Sequence, residues 1–217
     1  MVPVVCIVGR SGTGKTTLIE RLIPDLIGRG YRVAVVKHTD QNPDLDKPGK
    51  DTWRFANAGS TTVVLSTPRR VMVNAAMPGG LTVAQSLRFA GGDCDLILVE
   101  GYHENPFPKI EVHRQALGQG LITDKHGLMA VVTDEKLDVA APQYALDDAR
   151  SVADLIVRKL LSSSEEVEAG LFVNGEPIRM APFVAEIVAR TVQGLVSSLK
   201  GTGEAKDIDL WIRQKPK

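Results

Sequence analysis

Gly9-Arg10-Ser11-Gly12-Thr13-Gly14-Lys15-Thr16 follows the apolar run Val4–Val8 and opens a stretch with helical periodicity. The octet matches G-x-x-x-x-G-K-[ST] in full. It has a strand before it and a helix after it, the setting that pattern needs to work. The glycines let the backbone curl so that successive N–H groups converge on an anion. The helix N-terminus adds roughly half a positive charge at the same place. Lys15 supplies a full charge for β- and γ-phosphates, and the Thr16 hydroxyl can ligate Mg²⁺. Residues Gly9, Arg10, Ser11, Gly12, Thr13, Gly14, Lys15, Thr16 and Thr17 are therefore the candidate phosphate cradle.

Outward from this turn, strand-like and helix-like stretches alternate. Val4–Val8 is a continuous apolar run, as a parallel strand covered on both faces requires. In the following helix, Leu18, Leu22, Leu26 and Ile19, Ile23, Ile27 fall in rows on one side, with Pro24 predicting a bend and Gly28 and Gly30 an end. A second buried strand over 32–37 completes a right-handed βαβ unit. A polar loop over 38–50 leads to a short helix over 51–58 and strands over 62–65 and 71–74. Thr82 caps a helix through Phe89 that Gly91–Gly92 closes. Strands are predicted over 95–99, 110–113 and 128–132, then a helix over 147–161. The fold class is α/β, a P-loop NTPase three-layer fold with a mostly parallel sheet, over residues 1–161.

Residues 162–168 (LSSSEEVE includes them) are polar and read as a linker. The tail over 169–217 has a different pattern. Asn174-Gly175 between two apolar runs is a hairpin signal. A helix from Pro182 presents Phe183, Ile187, Val188, Val192 and Leu195, and residues 207–213 alternate as a half-buried strand. This small α+β (ββαβ) C-terminal extension must bury one face on the main domain or on a second subunit.

A Mg²⁺ site wants a carboxylate at the carboxyl end of a neighbouring strand. The run DLILV ends in Glu100, which emerges on that edge, whereas Asp95 begins the strand and points away. The loop after VAVV carries a second candidate group: Lys37, His38, Asp40, Asp44, Asp46, Lys50 and Asp51. A solvated surface is the competing account of that loop. His38 and His103 follow strand ends and suit loop hydrogen bonding; His113 and His126 suit structural roles. Arg114 is either a phosphate contact or a strand-end surface charge. Trp53 and Trp211 suit packing.

Composition excludes several classes. Of 217 residues, 43% are apolar, and 26 basic residues balance 26 acidic ones, so no large charge points to nucleic acid or a membrane surface. The 2 cysteines, Cys6 and Cys94, each lie in an apolar run, against a disulfide or Cys-based metal site. No apolar run approaches the ~18 residues of a membrane span. The first strand lacks a basic leader and a cleavage site, so a soluble, cytoplasmic protein is expected.

Residues 1–160 resemble the molybdopterin-guanine dinucleotide biosynthesis protein B family of GTP-binding P-loop proteins. The resemblance lies in GRSGTGKTTLIERLIPDL, VVKHT followed by DKPGKDTWR and AGS, DLILVEGYH, and PKIEVHR. The pieces VNGEPI, PFV and SSLKG resemble an extension carried by some members. Many members continue with further histidines after Lys37-His38-Thr39, where this chain reads Asp40-Gln41, so no role of such histidines carries over. The resemblance implies a GTP-binding, weakly hydrolysing accessory protein for the guanylyltransferase that forms molybdopterin guanine dinucleotide, with molybdopterin near by. It implies GTP and Mg²⁺ as ligands, and a homodimer that also covers exposed edges of the tail. By matching position, Gly9–Thr17 hold phosphates, Lys15, Glu100 and Asp46 serve hydrolysis, Thr16 and Glu100 surround Mg²⁺, and Asp46, Lys50 and Asp51 form a loop beside them.

Guanine selection needs a carboxylate facing N1 and the exocyclic amine. Asp134, at the correct end of the 128–132 strand, is the candidate, and Asp138 in Lys136-Leu137-Asp138 is its rival. No glutamine or arginine in an evident motif positions water, which fits slow turnover. The alternative is a small-molecule kinase or ATP-dependent ligase on the same loop, with Asp46 or Asp51 as base. A metal-delivery GTPase lacks its clustered His or Cys here.

Overall fold

β1 (Val4–Val8) is buried at all five positions, because the central sheet flanks it with a parallel strand on each edge and packs layers over both faces. The computed structural model describes residues 2–39, 41, 43–90, 94–118, 120–124, 127–162, 169–173, 176–178, 180–202, 205, 208–210 and 212. Asp40, His126, Gly91–Gly92, the Asn174–Gly175 turn, Trp211 and most of the expected linker lie outside the described residues.

α1 (Lys15–Gly28) runs through Pro24 as one helix and buries Leu18, Ile19, Leu22 and Leu26. Its end is closed by Gly30, with bonds from Gly30 N to Ile27 O at 2.9 Å and from Tyr31 N to Leu26 O at 3.1 Å. β2 (Val33–Lys37), α2 (Asp51–Asn57), β3 (Thr62–Ser66) and β4 (Val71–Ala75) follow. β3 and β4 pair antiparallel with each other, outside the central sheet. α3 (Val83–Leu87) has a full capping box between Thr82 and Gln85 and continues as a 3₁₀ turn to Ala90. β5 (Leu96–Glu100), β6 (Lys109–Val112), β7 (Leu128–Val132) and β8 (Gln143–Tyr144) complete the strands of the sheet. α4 (Ala149–Ile156), capped by Asp148, widens into a π-type turn through Leu161.

The six-stranded sheet has the order β2-β5-β1-β6-β7-β8, and every pairing is parallel. One face packs on α1 and α4 through Val5, Ile7, Leu22, Leu26, Leu98, Ile110, Val152 and Ile156. The other carries Val4, Cys6, Val8, Ile97 and Val99 under Leu87 of α3. Each fully buried Leu or Ile side chain contributes about 2 kcal/mol of apolar transfer. Both cysteines are buried thiols outside any disulfide, and burial raises the Cys6 thiol pKa, opposed by the Asn105 hydrogen bond and the Lys109 charge.

In the tail, β9 (Leu171–Val173) and β10 (Glu176–Ile178) form an antiparallel hairpin. The Arg88 guanidinium lies 5.4 Å from the centre of the Phe172 ring. α5 (Pro182–Ser197) leaves Phe183, Ile187 and Leu195 exposed. The expected last strand is corrected: Ile208–Leu210 and Ile212 have no regular structure, and Leu210 and Ile212 are exposed rather than half-buried. Alternation alone does not make a strand where no ladder partner among the described residues supplies hydrogen bonds. Asp207 and Arg213 lie outside the described residues. Among the described residues no helix is long and apolar enough to cross a membrane.

Candidate functional site

The turn between β1 and α1 is shaped by two glycines. Gly9 has φ +137°, and a Cβ there would stand 2.3 Å from the Val112 carbonyl oxygen, so only hydrogen fits between the turn and β6. Gly14, at φ +105°, takes the left-handed conformation immediately ahead of α1. Thr13 is buried and its hydroxyl donates to the Arg10 carbonyl at 3.0 Å. The Lys15 ammonium lies over the turn, donating to the carbonyls of Gly9 at 2.9 Å and Arg10 at 2.8 Å. Partial burial lowers its pKa; Glu100 opposes that shift and Lys37 adds to it. An anion bound here would restore the balance. Arg10, Ser11 and Gly12 are exposed on the turn, and Thr16 and Thr17 are exposed at the start of α1.

On the β5 side, the Thr16 hydroxyl donates to Glu100 Oε2 at 3.0 Å. Glu100 is the last residue of β5 and is level with Ile7 of β1 and Lys37 of β2. Lys37 Nζ stands 3.3 Å from Glu100 Oε1. A hydroxyl and a carboxylate in contact beside a phosphate turn are hard oxygen donors of the kind Mg²⁺ takes, so the residues present fit that ion. When bound, it would neutralise phosphate charge as a Lewis acid.

On the other side, Arg114 Nε donates to the Thr13 carbonyl at 2.9 Å, which makes it a partner of the phosphate turn rather than a loose surface charge. Next to it, Gln115 N donates to Asp134 Oδ1 at 2.8 Å. His113, buried, pairs through Nε2 with Glu135 Oε1 at 2.6 Å. A cavity of about 200 Å³ opens between Thr13, Thr17, Arg21, Arg114, Leu146 and Asp147. A wider recess of about 520 Å³ lies over Thr133–Lys136 and Gln143–Ala145. Asp134 lines that recess, and Asp138 is not among its lining residues.

The loop after β2 is less tightly joined to this centre. Asp46 Oδ1 accepts its neighbour Lys47 N at 2.7 Å, while Oδ2 is buried without a partner among the described residues. Lys50 precedes α2, and Asp51 meets Arg54 at 3.8 Å. His38 stacks on Tyr102 with ring centres 3.9 Å apart. His103 approaches Glu104 at 3.7 Å.

Three residues that bear on the site escaped the sequence. Tyr102 has φ +52°, shares a hydrogen bond with Ser86 Oγ at 3.1 Å and donates to the Leu81 carbonyl at 3.3 Å. Lys109 and Glu111 are buried on the polar side of β6. Lys109 donates to the carbonyls of Asn105 and Phe107, and Glu111 accepts from Ile122 N at 2.7 Å and Thr123 N at 2.9 Å. Their signal was present: β6 alternates charged and apolar side chains, and loops cover the charged side.

The sequence profile of the family described as molybdopterin guanine dinucleotide synthesis protein B matches residues 4–134. The chain belongs to that family. The molybdopterin-guanine dinucleotide biosynthesis adapter protein of Haemophilus influenzae is 39% identical over 157 residues, which cover 71% of this chain and 88% of the relative. The adapter protein of the same name from Escherichia coli K12 is 33% identical over 163 residues, covering 72% and 93%. The crystal structure of Bacillus subtilis MobB superposes with a TM-score of 0.60 at 25% identity, over 74% of this chain and 99% of that one. About a quarter of the present chain lies beyond each of these three alignments.

Proposed function

We propose that this member of the MobB family is a GTP-binding accessory protein that assists the guanylyltransferase forming molybdopterin guanine dinucleotide, with weak GTPase activity of its own. The accessory role rests on family membership and on relatives named adapter proteins. The observation that carries the nucleotide assignment is the contact of Thr16 with Glu100 at 3.0 Å, directly beside the Lys15 ammonium.

In this arrangement the backbone of Gly9–Thr17 and Lys15 hold the phosphates. Thr16 and Glu100 hold Mg²⁺, and the base lies toward β6 and β7, where Asp134 faces the guanine edge. Strands are about 4.8 Å apart, so the β7 end lies roughly 10 Å from the phosphate turn, the reach of a nucleotide from phosphate to base. Arg114 positions the turn. Asp46, with one buried oxygen unpartnered among the described residues, is the loop carboxylate assigned to the phosphate side, and His38, Lys50 and Asp51 belong to the same loop. The exposed apolar residues of the β3–β4 hairpin and of α5 support a homodimer.

Lys15→Ala tests the reading. Isothermal calorimetry should show Mg·GTP binding lost, and capture of the purified transferase in the presence of GTP should fall to the level seen without nucleotide. Unchanged GTP affinity in that variant would remove the phosphate-site assignment. Transferase capture indifferent to both the variant and GTP would remove the GTP-dependent adapter role.

A further inference from the structure

We propose that Lys37 is a second phosphate cation of this site, one that bonds the γ-phosphate and so makes the protein read a nucleoside triphosphate over the diphosphate. The proposal rests on the phosphate-turn assignment above and assigns Lys37 a role within it.

Lys37 ends β2 and is the register partner of Glu100, the residue whose carboxylate receives the Thr16 hydroxyl. Its ammonium stands 3.3 Å from Glu100 Oε1, on the side of Glu100 away from β1. The two ends of that pair differ in environment. The Glu100 side chain is 13% exposed and the Lys37 side chain 61% exposed, so the carboxylate is fixed while the ammonium lies at the rim. Lys15, by contrast, is tied to the two carbonyls of the turn itself. Glu100 pairs with Lys37 and also acts electrostatically on Lys15, so one carboxylate stands against two cations and leaves an excess positive charge at this edge.

The polarity of the nucleotide follows from the same contacts. The divalent-cation ligands lie toward β5, and the recess at Asp134 lies toward β7, on the opposite side of β1. The terminal phosphate of a triphosphate must therefore point toward β5 and β2. With Glu100 committed to a divalent cation, Lys37 would lose its counter-charge, and its own end of the pair, 61% exposed, would be only weakly tethered. A four-carbon stem lets its ammonium turn to the terminal phosphate, a doubly charged acceptor able to take charge-assisted bonds. A diphosphate ends one group short of this reach, so Lys37 contributes only to the triphosphate complex.

The test is calorimetry on the full chain with Mg²⁺ present, comparing GDP with a non-hydrolysable GTP analogue. Lys37→Ala is expected to weaken the analogue about tenfold or more while GDP stays within about twofold, and Lys37→Arg should keep most of the difference. Thermal unfolding of both variants should match the native chain, since the side chain is exposed. Equal weakening of the two nucleotides would show that Lys37 merely orders Glu100, and no change in either would show that it touches no phosphate; each overturns the proposal. Lys15→Ala separates the levels: it should weaken both nucleotides, and if it weakens neither, the phosphate-turn assignment falls along with the proposal.

Discussion

Arg114 and Thr13, 101 positions apart in the chain, are joined by a 2.9 Å hydrogen bond from the guanidinium Nε to the carbonyl oxygen. The bond holds the strand end after β6 against the phosphate turn after β1, and the next residue, Gln115, reaches Asp134 at the end of β7. Residues 114 and 115 therefore link the phosphate side of the site to the side assigned to the base. The sheet order makes this possible by placing β6 between β1 and β7.

The fit between the turn and β6 leaves no room at Gly9. Gly9→Ala would put a methyl group 2.3 Å from the Val112 carbonyl oxygen at a positive φ. A loss of about 2–4 kcal/mol of stability is expected, lowering the unfolding midpoint by roughly 5–10 °C. Calorimetric or circular-dichroism melts check this, and a native-like midpoint would mean that the turn has space the structure does not show.

Glu100→Gln keeps the size of the side chain and removes its charge. GDP affinity without Mg²⁺ should change little, while the tightening of binding that Mg²⁺ brings should largely disappear. Titrations with and without the metal decide it. A variant that gains as much from Mg²⁺ as the native chain would place the metal carboxylate elsewhere.

At the other end of the site, Asp134→Asn should weaken GTP by about ten- to a hundredfold, the worth of charge-assisted bonds to N1 and the exocyclic amine, with ATP affinity nearly unchanged. Competition between the two nucleotides measures the ratio. Equal losses for both would end the base-reading role of Asp134.

A pH effect follows at the far end of β5. Arg32, through its side chain and its backbone N–H, holds the Asp95 carboxyl below its ordinary 3.8. The native carboxylate therefore binds its proton less readily than the unfolded one. Its stabilisation is complete above about pH 4 and is lost as the pH falls through the lowered native value. Because the pair is partly exposed, about 1 kcal/mol is expected at neutral pH. Urea unfolding of Asp95→Asn and the native chain should differ at pH 7 and converge below about pH 3. A gap that persists in acid would assign the difference to packing.

Much of this was legible before the fold. The phosphate turn, its flanking strand and helix, and Glu100 at the end of an apolar run all depend on short-range pattern, and local periodicity reports such elements well. β8 was not legible, because a two-residue strand has no period to detect. The burial of Lys109 and Glu111 was not legible, since alternation cannot say whether loops cover the polar side. The alternation around Ile208–Leu210 and Ile212 gave no strand at those described residues for the complementary reason: a strand needs a ladder partner that the segment itself cannot supply.

Residue order alone determined that a main-chain cradle, a lysine and a hydroxyl stand together at one helix start, since neighbours in the chain cannot be far apart. Only the tertiary structure decided which distant groups face that cradle. Glu100 and Arg114 reach it, and Lys37 reaches Glu100, because parallel pairing in the order β2-β5-β1-β6 sets their strand ends at one edge. That order is a property of crossover connections and buried area across the whole sheet, which no local stretch encodes.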